Sequence, residues 1–213
     1  MKIFLIGDSI SIQYGQYLQP MLAARSIELI RKEGIDEALV NLDIPTGANG
    51  GDSRQLTTYL RSLIGSGTPI KADILLVNCG LHDIKTDPVT GAKQQTLEQY
   101  KENLAALPEI AAALGMKLIW MRTTPVDDDT HNSRQKSFHR HAADLVVYQQ
   151  AADAIMEQAG VPVIDLFTPT ASLGAPAEIF IDHVHFQTQV RMTQAGYIAG
   201  CLAVILRVKE IVR

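Results

Sequence analysis

Short apolar runs alternate along this chain with longer segments of helical periodicity, and that alternation is what most narrows the possible folds. The runs are Lys2 to Ile6, about Ala38 to Ile44, Asp73 to Cys79, Lys117 to Arg122 and Val161 to Leu166, each bounded by Gly, Pro, Asn or Asp. Between them lie stretches from about Ser11 to Lys32, Ser53 to Ile64, Gln94 to Leu114, Asn132 to Ala159 and Thr188 to Leu206, each long enough for a crossover helix. This is the βαβ rhythm of a parallel sheet. Right-handed crossovers then put helices on both faces, so the expected fold class is α/β, a three-layer α/β/α sandwich on five parallel strands. With 213 residues, no repeat and no Ser/Gly-rich linker, residues 1–213 are expected to form a single domain.

The helical pattern is clearest from Thr96 to Leu114, where Leu97, Tyr100, Leu104, Leu107, Ala111 and Leu114 recur at three- and four-residue steps. Pro108 interrupts it, since an interior proline removes a backbone donor and clashes with the preceding turn, and a kink or break is expected there. Trp120, on a predicted buried strand, is expected in the core.

Charge removes several classes of function. Lys plus Arg total 19 against 23 Asp plus Glu, a net charge of −4, so no basic field exists to hold a nucleic acid or an anionic membrane. The longest apolar stretch, Ala195 to Leu206, stops at Arg207, short of the ~18 residues that span a bilayer. Met1-Lys2 leads into only Ile3 to Ile6 before Gly7, too little for a secretory signal. Cys79 and Cys201 sit in apolar surroundings without metal-binding spacing, which implies buried free thiols and a cytoplasmic location.

Ligands of open α/β sheets gather beyond the carboxyl ends of the strands, so those ends carry the chemistry. After the first run comes Gly7-Asp8-Ser9-Ile10, a serine at a strand-to-helix turn, where a hydroxyl can face the crevice and helix N–H groups can receive an oxyanion. Thr46-Gly47-Ala48-Asn49-Gly50-Gly51-Asp52-Ser53 forms a glycine-rich turn, with Asp52 or Ser53 as a helix cap. The third run ends in Asn78-Cys79-Gly80-Leu81-His82-Asp83. Before the last helix stands Ile181-Asp182-His183-Val184-His185-Phe186. A serine hydroxyl needs a base, and an imidazole needs a partner that fixes its tautomer; three residues apart in a turn, Asp182 can reach Nδ1 of His185 and leave Nε2 for the serine.

Together these four blocks resemble the GDSL or SGNH hydrolase family, over nearly the whole chain: Gly7-Asp8-Ser9-Ile10 the first block, Gly50-Gly51-Asp52-Ser53 the second, Gly80-Leu81-His82-Asp83 the third, and Asp182-His183-Val184-His185 the last. The resemblance implies a flavodoxin-like sheet of order 2-1-3-4-5, with the site at the switch between strands 1 and 3. It implies Ser9 as nucleophile, His185 as general base and Asp182 as its orienting carboxylate. It further implies an oxyanion hole from the Ser9 N–H, the N–H of Gly51, with Gly50 as the alternative, and the side chain at His82. Asp8, Gly50 and Asp83 fall beside these and are assigned to substrate binding.

Two features depart from the family pattern. His82 stands where asparagine is usual, and an imidazole N–H can still polarise an oxyanion, though with a different geometry. The interval from His185 to Gly196-Tyr197 is longer than usual, with room to shape a pocket rim. The polar stretch Asp127 to His141 is expected to be a solvated loop, in preference to a substrate lid, and His183 a turn residue.

The expected activity is therefore serine-dependent hydrolysis of a small or carbohydrate-borne, acetyl-type ester, needing no cofactor and no metal, with a small-molecule ester as partner. Two rivals remain at this stage. One is a non-catalytic small-molecule or glycan-binding module on the same fold; the other is a metal-dependent hydrolase drawing on Asp8, Asp83, Asp182, His82, His183 and His185.

Overall fold

The structure is a computed structural model that describes residues 1–67 and 70–211. Its elements are β1 (Lys2–Ile6), α1 (Ser9–Ala23), β2 (Glu28–Arg31), α2 (Ile35–Val40), α3 (Ser53–Leu63), β3 (Ile74–Val77), α4 (Leu97–Ala105), α5 (Leu107–Ala113), β4 (Lys117–Met121), α6 (Asp128–Arg134), α7 (Ala142–Gln158), β5 (Val163–Ile164), α8 (Phe167–Ala171), α9 (Pro176–Ile179) and α10 (Thr188–Ile211). The five strands form one parallel sheet in the order β2-β1-β3-β4-β5. Its central strands read as apolar runs because helices cover both faces: every residue of β3, and Ile3 to Ile6 of β1, is buried. Trp120 lies in the core as expected, at 1% exposure.

The second strand is not where the sequence pattern put it. Ala38 to Ile44 is not a strand; it holds the end of α2 and the turn that follows, while β2 is Glu28–Arg31, inside the stretch expected to continue the first helix. Three local signals account for this. Ser26 has φ 59, which ends the helical path before Ile27. Glu28 to Arg31 is short and, on the sheet edge, only partly covered, so it offers little apolar alternation to read. Gly34, at φ 87, makes the left-handed turn into α2, whose first turn carries Asp36 and Glu37 where the helix dipole favours anions.

Pro108 acts as expected. It lies in the first turn of α5, where its missing N–H costs nothing, and the helical stretch divides between Ala105 and Leu107. The interval after His185 is helical: α10 begins at Thr188, and Gly196-Tyr197 lie within it. Among the described residues, no helix is long and apolar enough to cross a membrane.

Candidate active site

Order 2-1-3 places the carboxyl ends of β1 and β3 side by side, and the site is built at that switch point. Asp8 caps α1, its Oδ1 accepting from the Ile10 N–H at 3.0 Å. Ser9 is thereby the first residue of a 15-residue helix, where its N–H has no intrahelical acceptor and the positive end of the dipole faces any developing anion.

The last block closes on this serine from a tight turn. Phe180 and Phe186 form a bridge and stack at 4.9 Å, and the Ile181 N–H donates to the His185 carbonyl at 2.8 Å. Inside the turn, Asp182 Oδ1 accepts from the N–H groups of Val184 and His185, each at 2.8 Å. His185 Nδ1 lies 2.7 Å from Asp182 Oδ2, and its Nε2 lies 2.9 Å from Ser9 Oγ. The acceptor on the first side fixes the tautomer: Nδ1–H donates to the carboxylate, and Nε2 is left to accept from the hydroxyl. Burial alone would raise the Asp182 carboxyl, but its bond and attraction to His185 and the two backbone N–H groups outweigh that and hold it well below the usual carboxylate range. It stays ionised wherever the imidazole needs it.

The second and third blocks are bound to each other. Asp52 caps α3 in a reciprocal box with Gln55, and the next N–H, of Ser53, donates to both oxygens of Asp83, at 2.9 and 3.1 Å. Asp83 and Asp8 are fully buried and serve as framework, Asp83 joining two loops and Asp8 capping a helix, rather than opening toward a substrate. Burial pushes Asp83 up to about 7 and Asp8 to about 6. The Gly50 N–H donates to the Gly7 carbonyl at 2.8 Å, holding the second block against the first. Gly51, with φ 71, turns its N–H to Asn49 Oδ1 at 3.0 Å, so it can serve an oxyanion only by sharing or leaving that acceptor. His82 is buried at 3% exposure, and its ring is kept neutral: burial, then the charges of Lys85 and Arg140 and the neighbouring His185, drive its pKa well below the histidine range. A neutral imidazole has one N–H to give.

Residues 127–141 do not form the solvated loop expected from their polarity. His131 and Arg140 are buried, and the segment ties the last block down. Arg134 Nη1 donates to the Asp182 carbonyl at 2.7 Å, and His131 Nδ1 lies 3.2 Å from the His183 carbonyl and 3.0 Å from His183 Nδ1. His183 is correspondingly more than a turn residue: its Nε2 meets Asp43 Oδ2 at 2.9 Å, a carboxylate that also accepts from Gln135 at 3.2 Å. These partners lie on α6 and on the turn after α2, and charged residues in a polar stretch gave no sign that they would face inward.

Asp43, His183 and His185 bring one ligand atom each within 4.8 Å of one another, which is the metal-type cluster found among the described residues. The surrounding charge does not suit a cation. Arg140 and His183 both act on Asp43, Lys85 lies against it with its ammonium donating to the Asp43 carbonyl at 2.9 Å, and His185 already spends its nitrogens on Asp182 and Ser9.

The sequence matches the model of the GDSL-like lipase/acylhydrolase family over residues 5–197. The chain belongs to that family. Membership makes it a carboxylic ester hydrolase of the GDSL type. None of the curated proteins matches the chain. Solved structures share the fold at low identity. An acetyl xylan esterase from Geobacillus stearothermophilus superposes with a TM-score of 0.70 at 18% identity, covering 94% of both chains. The lipase/acylhydrolase from Enterococcus faecalis gives 0.68 at 19%, also covering 94% of each. The psychrotrophic esterase EstA from Pseudoalteromonas sp., inhibited there by monoethylphosphonate, gives 0.66 at 15%, covering 97% of this chain and 98% of that one.

Proposed function

We propose that this GDSL-family chain hydrolyses small acyl esters, of the acetyl type and borne on a carbohydrate or similar polar alcohol, through a Ser9-His185-Asp182 triad. The observation that carries the reading is the unbroken line of contacts from Asp182 Oδ2 through His185 to Ser9 Oγ, at 2.7 and 2.9 Å, across 176 residues of sequence. Ser9 Oγ attacks the ester carbonyl as His185 Nε2 takes its proton. The oxygen of the tetrahedral intermediate receives the Ser9 N–H and the N–H of His82, with Gly51 as a third donor once Asn49 yields it. His185 then protonates the departing alkoxide, leaving an acyl-serine, and the same base activates water to release the acid. No cofactor enters these steps. Asp8, Gly50 and Asp83 act as the frame of this site.

The acetyl preference rests on the polar neighbours of the triad and on the likeness to the acetyl xylan esterase. The free thiols of Cys79 and Cys201 support a cytoplasmic location. The test is a panel of p-nitrophenyl and acetylated-sugar esters run on the wild type and Ser9→Ala, alongside labelling with a fluorophosphonate. Expected are turnover favouring acetyl over long acyl chains, loss in Ser9→Ala with an unchanged circular dichroism spectrum, and label on Ser9. Turnover that survives in Ser9→Ala, or a wild type that neither turns over nor labels, would refute the assignment; a preference for long chains would refute the substrate class.

A further inference from the structure

Among the described residues Arg140 is the second-largest fully buried side chain, and nothing in the triad chemistry uses it. A guanidinium cannot shed its charge to escape burial, so it is normally found paired with a carboxylate in the interior. Among the described residues, Arg140 has no carboxylate within ion-pair distance, and its Nη1 has no hydrogen-bond partner. Asp43, Asp8 and Asp182 act on it only through space. Such a group adds little to stability, which directs attention to what it holds.

Its contacts are specific. Arg140 Nε donates to the Leu81 carbonyl at 2.6 Å, the peptide that leads directly into His82. Asn132 grips the arginine backbone from both sides, its Oδ1 accepting from the Arg140 N–H at 3.0 Å and its Nδ2 donating to the Arg140 carbonyl at 3.1 Å. Phe138 lies under the guanidinium with 4.9 Å between Cζ and the ring centre. The side chain is thus locked in place from residues 132–140 and reaches across to the third block. Its charge acts through space on Asp8, next to Ser9, and on His82 itself.

We propose that Arg140 is a positioning residue for the oxyanion site, fixing through Leu81 the peptide that carries His82 and setting a permanent positive charge behind that donor. The inference rests on the serine-hydrolase reading above and explains how an imidazole can stand where the family uses an amide. A neutral His82 offers a single N–H and no charge of its own. The guanidinium supplies the missing field, preorganised in a dry setting where it costs no rearrangement as the carbonyl oxygen becomes negative. Its effect belongs to the transition state, because a neutral ester carries no charge for it to attract.

The experiment compares Arg140→Met, which keeps the bulk, Arg140→Gln, which keeps a donor for Leu81, and Arg140→Lys, which keeps the charge. Each is assayed for kcat and KM on an acetyl ester and for inhibition by phenylboronic acid, whose adduct with a serine is tetrahedral and anionic. Expected is a fall in kcat of about 10- to 100-fold in Arg140→Met, below the ~100- to 1,000-fold of losing a direct donor. KM should change by less than about 3-fold, and boronate affinity should fall by the same factor as kcat. Arg140→Gln and Arg140→Lys should lie between Met and wild type. Equal kcat in wild type and every folded variant, or a loss carried in KM with boronate affinity unchanged, would overturn the proposal. If Arg140→Met does not fold, the Gln and Lys variants decide alone by the same two measures. Wild-type labelling of Ser9 by fluorophosphonate separates the two levels: with label present, a flat variant series condemns the role of Arg140, whereas absence of label condemns the triad reading.

Discussion

Two histidines of one turn, His183 and His185, show how little separates a scaffold from the base proposed for catalysis. Both lie buried, and each meets an aspartate through one ring nitrogen: His185 meets Asp182 at 2.7 Å and His183 meets Asp43 at 2.9 Å. They differ in what faces the other nitrogen. His185 presents Nε2 to the hydroxyl of Ser9, whereas His183 presents Nδ1 to a second imidazole, that of His131, at 3.0 Å. His131 is held neutral, pushed down to about 3 by burial and then by the charge of Arg140, and because its Nδ1 also faces the His183 carbonyl, an acceptor, at 3.2 Å, its one proton sits on Nδ1 and is donated into His183. An aspartate–histidine pair becomes a base for catalysis when its free nitrogen meets a group that can lose a proton to it; otherwise the same pair is a clasp.

Breaking each pair in turn should therefore give effects of very different size. Replacing His185 by Ala, or Asp182 by Asn, should lower kcat by about 10⁴-fold, the second because the carboxamide selects the wrong tautomer; steady-state assay of the folded variants checks both. His82→Ala should cost about 100- to 1,000-fold in kcat, while His82→Asn, which restores an amide donor, should recover most of it; equal rates in wild type, Ala and Asn would remove His82 from the site. Undoing the clasp with Asp43→Asn should cost only about 10-fold in kcat, since the turn keeps its bridge and the Arg134 contact, and the loss should come with a melting temperature lower by a few degrees, for a lost charge-assisted bond worth about 1.5–3 kcal/mol. A loss as large as that of Asp182→Asn would make the two pairs equivalent and sink the distinction.

The smallest effect concerns pH. Asp83 and Asp8 have folded pKa values raised by burial to about 7 and about 6, above the 3.8 of an unfolded chain, so the folded state holds more protons between these limits. Their contribution to stability is complete below about pH 4 and lost as pH rises through 6 to 7. Asp182 and Asp43 have the opposite sign, with folded values lowered, and their contribution fades only as pH falls below the carboxylate range. His82 and His131, held neutral in the fold, act with the opposite sign over the same range, so the clean readout is the variant: between pH 5 and pH 7 the melting midpoint of Asp83→Asn should shift toward relatively lower stability at pH 5 than that of the wild type.

What could be read from the sequence, and what could not, follows from the range of the forces involved. The inner strands stand out as apolar runs because they are buried on both faces, and Ser9, Asp182 and His185 stand out because a turn at a strand end leaves them few other positions. The second strand was missed because an edge strand such as Glu28–Arg31 needs little apolar surface. Asp43, His131 and Arg140 were missed for a different reason. His131 and Arg140 lie in a polar stretch and Asp43 in a run that reads as a strand, and only distant partners, Asp43 to His183 across 140 residues and Arg140 to Leu81 across 59, draw them inward. The neutral tautomer of His82 and the engaged N–H of Gly51 are likewise products of tertiary contact, invisible to local pattern.

The 176 residues between Ser9 and His185 also set a timetable. On the ribosome Ser9 leaves the exit tunnel well before His185, so under the proposed triad its hydroxyl emerges before the imidazole that would take its proton. On that reading a half-made chain is chemically harmless to the esters around it, and hydrolysis waits until the closing turn has docked.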